Sequence, residues 1–114
     1  MIKVSLDKGK LSKALDNIEK YSQDVQKRVA VEIAKSTLRV ESNAKRFAPV
    51  DTGRLRASIA SNIKPDRGEV GTNVEYAPFM EFGTYKSAGK PFLFPAWNME
   101  RSKFIASLKI ALKK

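Results

Sequence analysis

The chain has 114 residues, which suits a single domain spanning residues 1–114 with one modest hydrophobic core. It contains neither cysteine nor histidine. Disulfides, thiolate metal sites and a cysteine nucleophile are therefore excluded, and so are the commonest general base and the commonest metal ligand. We expect no metal site and no cofactor. Nor is there an apolar run of about 18 residues that would cross a membrane.

The formal net charge is +10, from 22 Lys and Arg against 12 Asp and Glu. The excess is spread evenly: residues 1–50 and residues 51–114 each carry 11 basic and 6 acidic side chains, 11 − 6 = +5. Such a charge favours acidic partners, either a nucleic acid or an acidic protein surface. A solvated surface that keeps the protein soluble is the alternative, because the lysines are interspersed with acids.

The N-terminal half predicts a strand followed by helix. Ile2, Val4 and Leu6 alternate with polar residues, as in a half-buried strand. From about Lys10 the apolar spacing becomes helical and continues to Phe47, and Pro49 ends the helix. The pattern fits one long helix, which we favour, or two helices with a slight break near Tyr21–Ser22.

A single helix of about 35 residues would be about 50 Å long, which exceeds the diameter of a globule of this size. Part of its apolar stripe would extend beyond the domain, and another copy of the chain would be the simplest partner for it. A kink that folds the helix back on itself is the alternative.

The middle of the chain predicts a helical turn and a hairpin. Asp51 and Thr52 are good N-cap types, Gly53 allows tight packing, and Leu55 points the same way as Ile59. Residues 59–63 and 70–74 alternate as two strands around a turn at residues 64–68. The predicted class is α+β, a small antiparallel or mixed sheet packed against a long N-terminal helix and a C-terminal helix.

The segment YAPFMEFGTYKSAGKPFLFPAW, residues 76–97, contains four Phe, two Tyr and the only Trp. Its glycines and prolines rule out one regular element. Gly83 is expected to end a short helix that covers residues 75–82, and residues 84–90 are expected to form an exposed loop. Residues 91–94 should be extended, with Pro95 in the first turn of a helix that continues to residue 112.

No catalytic pattern is present. Glu75 and Glu81 are six residues apart, and neither phosphate-binding glycine motif occurs. We therefore do not expect an enzyme.

The ordered set APVDTGRLRASI (48–59), GEVGTNVEYA (68–77), EFGT (81–84) and KPFLFPAW (90–97), followed by an amphipathic helix, closely resembles a family of tailed-phage proteins. These are the small tail-component proteins encoded in the head–tail joining region of long-tailed phages and prophages, also called neck or tail-completion proteins. The resemblance covers roughly residues 40–112, and the long N-terminal helix also fits.

The resemblance implies a structural subunit that completes the tail and connects it to the capsid. It implies a ring of copies, commonly six, that contacts adjacent neck and tail proteins in the virion and is assembled in the cytoplasm of the bacterial host. Genomic DNA in the lumen is a further expected contact, and a membrane is not. A tail terminator or a portal adaptor remains open, as does a small basic nucleic-acid-binding protein or ribonuclease-like toxin.

Aromatic residues in an irregular segment offer large contact areas at low entropic cost, so we expect them to divide between core and interface. Phe79, Phe82 and Trp97 are expected in the core. The expected subunit interface consists of Arg54, Arg56, Tyr76, Glu81, Tyr85, Lys86, Lys90, Phe92 and Phe94. A structural role is expected for Pro49, Asp51, Thr52, Gly53, Leu55, Gly83, Pro91 and Pro95. We further expect Arg54 or Arg56 to pair with Glu81 or with an acid of the next subunit.

Overall fold

The computed structural model describes residues 2–7, 21–49, 53–86 and 88–112. The elements in chain order are β1 (Ile2–Asp7), α1 (Gln23–Phe47), α2 (Arg54–Ser58), β2 (Ala60–Lys64), β3 (Arg67–Thr72), α3 (Ala77–Phe82) and α4 (Leu93–Leu112). This is the predicted α+β class, with helices covering one face of a small sheet.

The three strands form an antiparallel sheet with the order β1–β3–β2, so that β3 lies in the centre. Val4 and Leu6 are opposite Val70 and Gly68, and these positions share the face that the helices cover. The hairpin turn is tighter than the sequence predicted, because β3 already begins at Arg67 and only Pro65 and Asp66 connect the strands.

The predicted single helix over residues 10–47 is wrong, because a helix begins at Gln23, directly after the position near Tyr21–Ser22 where the alternative placed a break. Ser22 is extended, with ψ of 160°, and its Oγ accepts a hydrogen bond from the Val25 N–H at 3.2 Å. A serine side chain in this position caps a new helix start. Residues 8–20 lie outside the described residues. The 25 residues of α1 span about 37 Å, which is shorter than the expected length of about 50 Å.

Helix α1 crosses the sheet at a point of close approach. A Cβ atom built on Gly68 would lie only 1.7 Å from Thr37 Oγ1, so only glycine leaves room for the helix at this strand position. The stripe that faces the core consists of Val25, Val29, Ile33, Ser36, Thr37, Val40 and Ala44. Ala48 is extended after the helix, as expected for the residue before Pro49.

Helix α4 runs antiparallel to α1. Arg28 near the start of α1 donates to the Ala111 carbonyl at the end of α4, while Arg39 pairs with Glu100 further along. α4 begins at Leu93, two residues before the predicted start of the helix, and Pro95 lies in its first turn as predicted. Within the described residues, no helix is long and apolar enough to cross a bilayer.

Candidate interaction surface

The start of α4 is held by a carboxylate from α3. Glu81 Oε1 accepts the N–H groups of Phe92 and Leu93 at 3.1 and 2.9 Å, and Oε2 accepts that of Phe94 at 3.1 Å. The next residue, Pro95, has no N–H to satisfy. An acidic group at a helix N-terminus also interacts favourably with the helix dipole. Glu81 is thus a buried cap that joins α3 to α4, and its assignment to the subunit interface is wrong for this side chain.

The loop between these two helices folds back onto α3. Gly83 ends α3 with a positive φ of 81°, a conformation that glycine adopts easily, as the sequence predicted. Further along, the Lys90 N–H donates to the Met80 carbonyl at 2.6 Å. This backbone bond and the Glu81 cap therefore fix the C-terminal part of the connection between α3 and α4.

Four large aromatic side chains of this unit point to solvent, namely Phe79, Phe82, Tyr85 and Phe94, and we call them the aromatic surface. Phe82 is 77% exposed and Tyr85 is 93% exposed. The Lys86 ammonium lies 5.5 Å from the centre of the Tyr85 ring, and the Phe94 ring lies 5.8 Å from that of Trp97. Exposed apolar groups concentrated on a constrained segment are typical of a protein contact.

The expectation that Phe79 and Phe82 belong to the core is wrong, as is the expectation that Phe92 belongs to the interface. α3 has six residues and buries the face that carries Ala77 and Glu81. Phe79 and Phe82, three residues apart, share a different face and are left outside. Phe92 is fully buried because its N–H bond to Glu81 holds the backbone against the core.

Trp97 is half-buried and packs against the core, in keeping with its predicted role. Its indole Nε1 donates to the Ser5 carbonyl of β1 at 2.9 Å. The indole thereby ties α4 to a strand at one edge of the sheet, where backbone groups would otherwise be open to pairing.

The expected pairing of Arg54 or Arg56 with Glu81 is wrong. Arg54 instead forms a two-pronged ion pair with Glu75, both contacts at 2.9 Å, and its guanidinium lies 5.6 Å from the centre of the Tyr76 ring. The hydrogen bond between the two side chains lowers the pKa of Glu75 and raises that of Arg54. Arg56 donates from Nε to the Lys45 carbonyl at 2.9 Å.

The turn before α2 is only partly described. Gly53 occupies the N-cap position with φ of 79°, and Leu55 and Ile59 are both buried. Asp51 and Thr52 lie outside the described residues, so capping by their side chains stays a prediction.

A buried polar cluster between α1 and α4 was missed by the sequence reasoning. Glu100 Oε2 accepts from Ser36 Oγ at 2.8 Å and from Arg39 Nε and Nη2 at 2.9 and 2.7 Å. The hydrogen bond to Glu100 raises the pKa of Arg39. A signal was available: Ile33 and Val40 are seven positions apart in one apolar stripe, as are Trp97 and Phe104 in the other. Polar Ser36 and Glu100 occupy the stripe positions between them.

The described residues contain no group of three or more acidic, His or Cys side chains that could hold a metal ion. What they do present is an α+β scaffold with an exposed, well-supported aromatic surface and a strongly basic charge. Exposed aromatic side chains on a basic α+β scaffold are typical of a domain that contacts other macromolecules.

A family model described as "Bacteriophage HK97-gp10, putative tail-component" matches residues 12–83, and the chain belongs to this family of phage tail components. A search among curated proteins gave no match, and a search among solved structures gave none either. The matched range includes the motifs at residues 48–59, 68–77 and 81–83 and ends before KPFLFPAW and α4. The resemblance to a tailed-phage family is confirmed, and a structural tail component is consistent with the expectation of a non-enzyme.

Proposed function

We propose that the chain is a structural subunit of the head–tail joining region, which completes the phage tail and connects it to the capsid. Its membership of a tail-component family supports a role in the virion tail region. The observation that carries the proposal further is the aromatic surface, because four large apolar side chains on a tied-down segment suit a permanent contact with a neighbouring subunit.

The partner across this surface is another copy of the chain, in a ring that we propose to be a hexamer. Tyr76, Tyr85, Lys86, Lys90 and Phe94 remain in the proposed interface, now joined by Phe79 and Phe82. Arg54 and Arg56 also remain in the proposed interface, where they would pair with an acid of the next subunit. A heterologous contact of this kind closes into a ring when its rotation permits.

The net charge of +10 supports a contact between the ring and an acidic surface of an adjacent component. Adjacent neck and tail proteins are the proposed partners, and genomic DNA in the lumen is a further proposed contact. A tail terminator or a portal adaptor would use the same features, and the position at which assembly stops distinguishes these roles.

Deletion of the gene from the parent phage or prophage, followed by negative-stain electron microscopy of the lysate, tests the role. We expect DNA-filled heads and separate, complete tails. Tails of irregular length would instead indicate a terminator, and heads that have lost their DNA would indicate a portal adaptor. Intact infectious particles in normal numbers would contradict all three structural roles.

Single-cysteine cross-linking tests the interface, and the absence of native cysteine makes the experiment clean. Tyr85→Cys and Phe82→Cys virions, labelled at the new thiol with a short photoactivatable cross-linker and irradiated, should yield covalent oligomers of the chain. Leu38→Cys is the matched control, since Leu38 is also exposed but lies on α1, away from the aromatic surface. Equal cross-linking of the control and the Tyr85 variant would contradict the proposed interface.

The charge also favours a second candidate, a nucleic-acid-binding protein. Such a protein would bind DNA or RNA with a micromolar dissociation constant at physiological salt, and its affinity would fall steeply as salt rises. Fluorescence anisotropy with a labelled duplex across a salt series measures both properties. Tight binding together with a normal deletion phenotype would place this function first.

A further inference from the structure

A second surface, separate from the aromatic surface, lies between α1 and α4. A groove of about 580 Å³ opens there, and Lys27, Arg28, Val31, Glu32 and Lys35 of α1 line it together with Ile110 of α4. We call it the helix-pair groove. None of the four residues of the aromatic surface contributes to it.

The helix-pair groove has an apolar component that the fold leaves uncovered. Val31 is 50% exposed and Ile110 is 69% exposed, although both lie on helices whose other faces form the core. A groove between two helices that presents aliphatic side chains in this way matches the shape of an amphipathic helix or short apolar segment.

The charge of the helix-pair groove is one-sided. Its single acid, Glu32, lies with Oε2 3.6 Å from Lys35 Nζ, so that pair is balanced. Lys27 and Arg28 therefore give the groove an excess of positive charge. A complementary partner therefore carries acidic groups beside its apolar side chain.

Arg28 indicates where such an acidic group binds. Its Nε donates to the Ala111 carbonyl at 3.4 Å, which holds the guanidinium against the end of α4. Its Nη2 is shielded from solvent and has no hydrogen-bond partner among the described residues. A shielded cationic donor without a partner is unfavourable, and a carboxylate is the acceptor that fits a guanidinium best.

We propose that the helix-pair groove binds an acidic amphipathic segment of another protein, with an apolar side chain between Val31 and Ile110 and a carboxylate on Arg28. A second copy of this chain does not suit the site as a symmetric partner, because it would bring a groove lined by the same basic side chains. The inference does not depend on the head–tail role, since it concerns a different surface and any acidic partner of this form.

The test uses the purified full chain and three labelled 14-residue peptides, followed by fluorescence anisotropy and by NMR of the isotope-labelled protein. The first peptide is an amphipathic helix of Glu and Leu. The second has Ser in place of each Leu, and the third has Lys in place of each Glu. Only the first should bind at physiological salt, with chemical-shift changes concentrated at Val31, Ile110 and the Arg28 side chain.

Variants then locate the site. Arg28→Gln and Ile110→Ser should each weaken binding of the first peptide roughly tenfold or more, as expected when one side of a combined ionic and apolar contact is removed. Lys109→Gln is the matched control: it removes one charge next to Ile110 but lies outside the groove lining, so affinity should change less than about twofold. Ile110 is exposed, so Ile110→Ser should fold normally. Its affinity for the first peptide therefore tests the site even if Arg28→Gln is too unstable to measure.

Three results would overturn the proposal. If the Ser-containing peptide binds as tightly as the first peptide, charge attraction alone explains the binding and the apolar contact is absent. An equal loss of affinity with Lys109→Gln and Arg28→Gln would place the contact elsewhere. A concentration-dependent dimer that Ile110→Ser abolishes would assign the helix-pair groove to a second copy of the chain.

Discussion

Glu81 and Glu100 are both buried carboxylates, yet the two side chains bind different groups. Glu81 accepts only backbone N–H groups, whereas Glu100 accepts from a guanidinium and a hydroxyl. The sequence offered a hint of the first role. The start of α4, KPFLFP, contains no Ser, Thr, Asp or Asn to cap it, so a cap had to come from a distant part of the chain.

Replacement of Glu81 by alanine should destabilise the fold by about 2 kcal/mol or more, because a lost helix cap and buried N–H groups without acceptors both cost free energy. Chemical denaturation measures the change. Hydrogen exchange should localise it, with protection lost first at the amides of Leu93 and Phe94. Glu81→Gln should lose less stability than Glu81→Ala, since one acceptor oxygen remains. Glu75→Ala, which removes an exposed acid, is the control, and an equal loss there would contradict the capping role.

The ion pair of Arg39 and Glu100 predicts an asymmetric response to mutation. The Arg39 side chain is 45% exposed whereas that of Glu100 is 2% exposed. Glu100→Gln leaves an arginine that water can reach, so a loss of about 1–3 kcal/mol is expected. Arg39→Met leaves a buried carboxylate without its cation, and about 3–5 kcal/mol is expected.

The double variant Arg39→Met with Glu100→Leu removes the ion pair as a whole. It should recover much of the loss, since apolar residues of similar volume replace both charges. Urea denaturation of the three variants measures the free energies of unfolding. A larger loss in Glu100→Gln than in Arg39→Met would show that burial of the carboxylate does not govern the response.

At the scale of elements, the crossing of α1 over β3 depends on the absence of a side chain at Gly68. Gly68→Ala would place Cβ atoms against Thr37 and should destabilise the fold by about 1–3 kcal/mol, the usual effect of overpacking. Thr37→Ala removes Oγ1 and Cγ2 of Thr37 and keeps only its Cβ. The double variant should therefore be more stable than Gly68→Ala alone. Asn62→Ala on the exposed side of the sheet is the control. Additive losses in the double variant would contradict the proposed contact.

A low pH should weaken the contacts that carboxylates make between secondary-structure elements. A hydrogen bond from Ser61 and an ion pair with Lys45 lower the pKa of Glu41 below its ordinary value of 4.5, while Lys3 on β1 lowers the pKa of Glu69 on β3. A carboxyl whose pKa is lower in the folded state stabilises the fold at neutral pH. That contribution is lost as the pH falls from about 4.5 through the folded-state pKa.

Thermal denaturation between pH 7 and pH 3 tests this expectation. Stability should change little above pH 5, because the chain has no histidine to titrate there, and should fall below about pH 4.5. Glu69→Gln should flatten part of that decline. A midpoint of thermal denaturation that rises as the pH falls would contradict the expected role of these two carboxylates.

At the scale of the whole molecule, the sequence predicted most of the architecture. Alternation in β1 and the hairpin, helical spacing in α1 and α4, and the glycine that ends α3 were sufficient for the α+β class. These are local signals, because each depends on period or on a single backbone conformation.

The aromatic surface could be located from sequence but not divided correctly between core and solvent. Phe92 is buried next to the Glu81 cap, whereas Phe79 and Phe82 lie on the exposed face of α3. Exposure of a residue in a six-residue helix depends on which face its neighbours cover, and periodicity over so few residues does not identify that face. The buried cluster at Glu100 was missed for a similar reason, since it depends on two helices meeting at matching gaps.

In the proposed function, the aromatic surface joins this subunit to its neighbours in the head–tail connection. Adding purified protein to a lysate of the deletion phage, and counting plaque-forming particles, tests it most directly. Wild-type protein and the control variant Leu38→Ser should restore infectivity. The double variant Phe82→Ser with Tyr85→Ser should fold normally, since both side chains are exposed, but should fail to restore it. Full restoration by that double variant would contradict the claim.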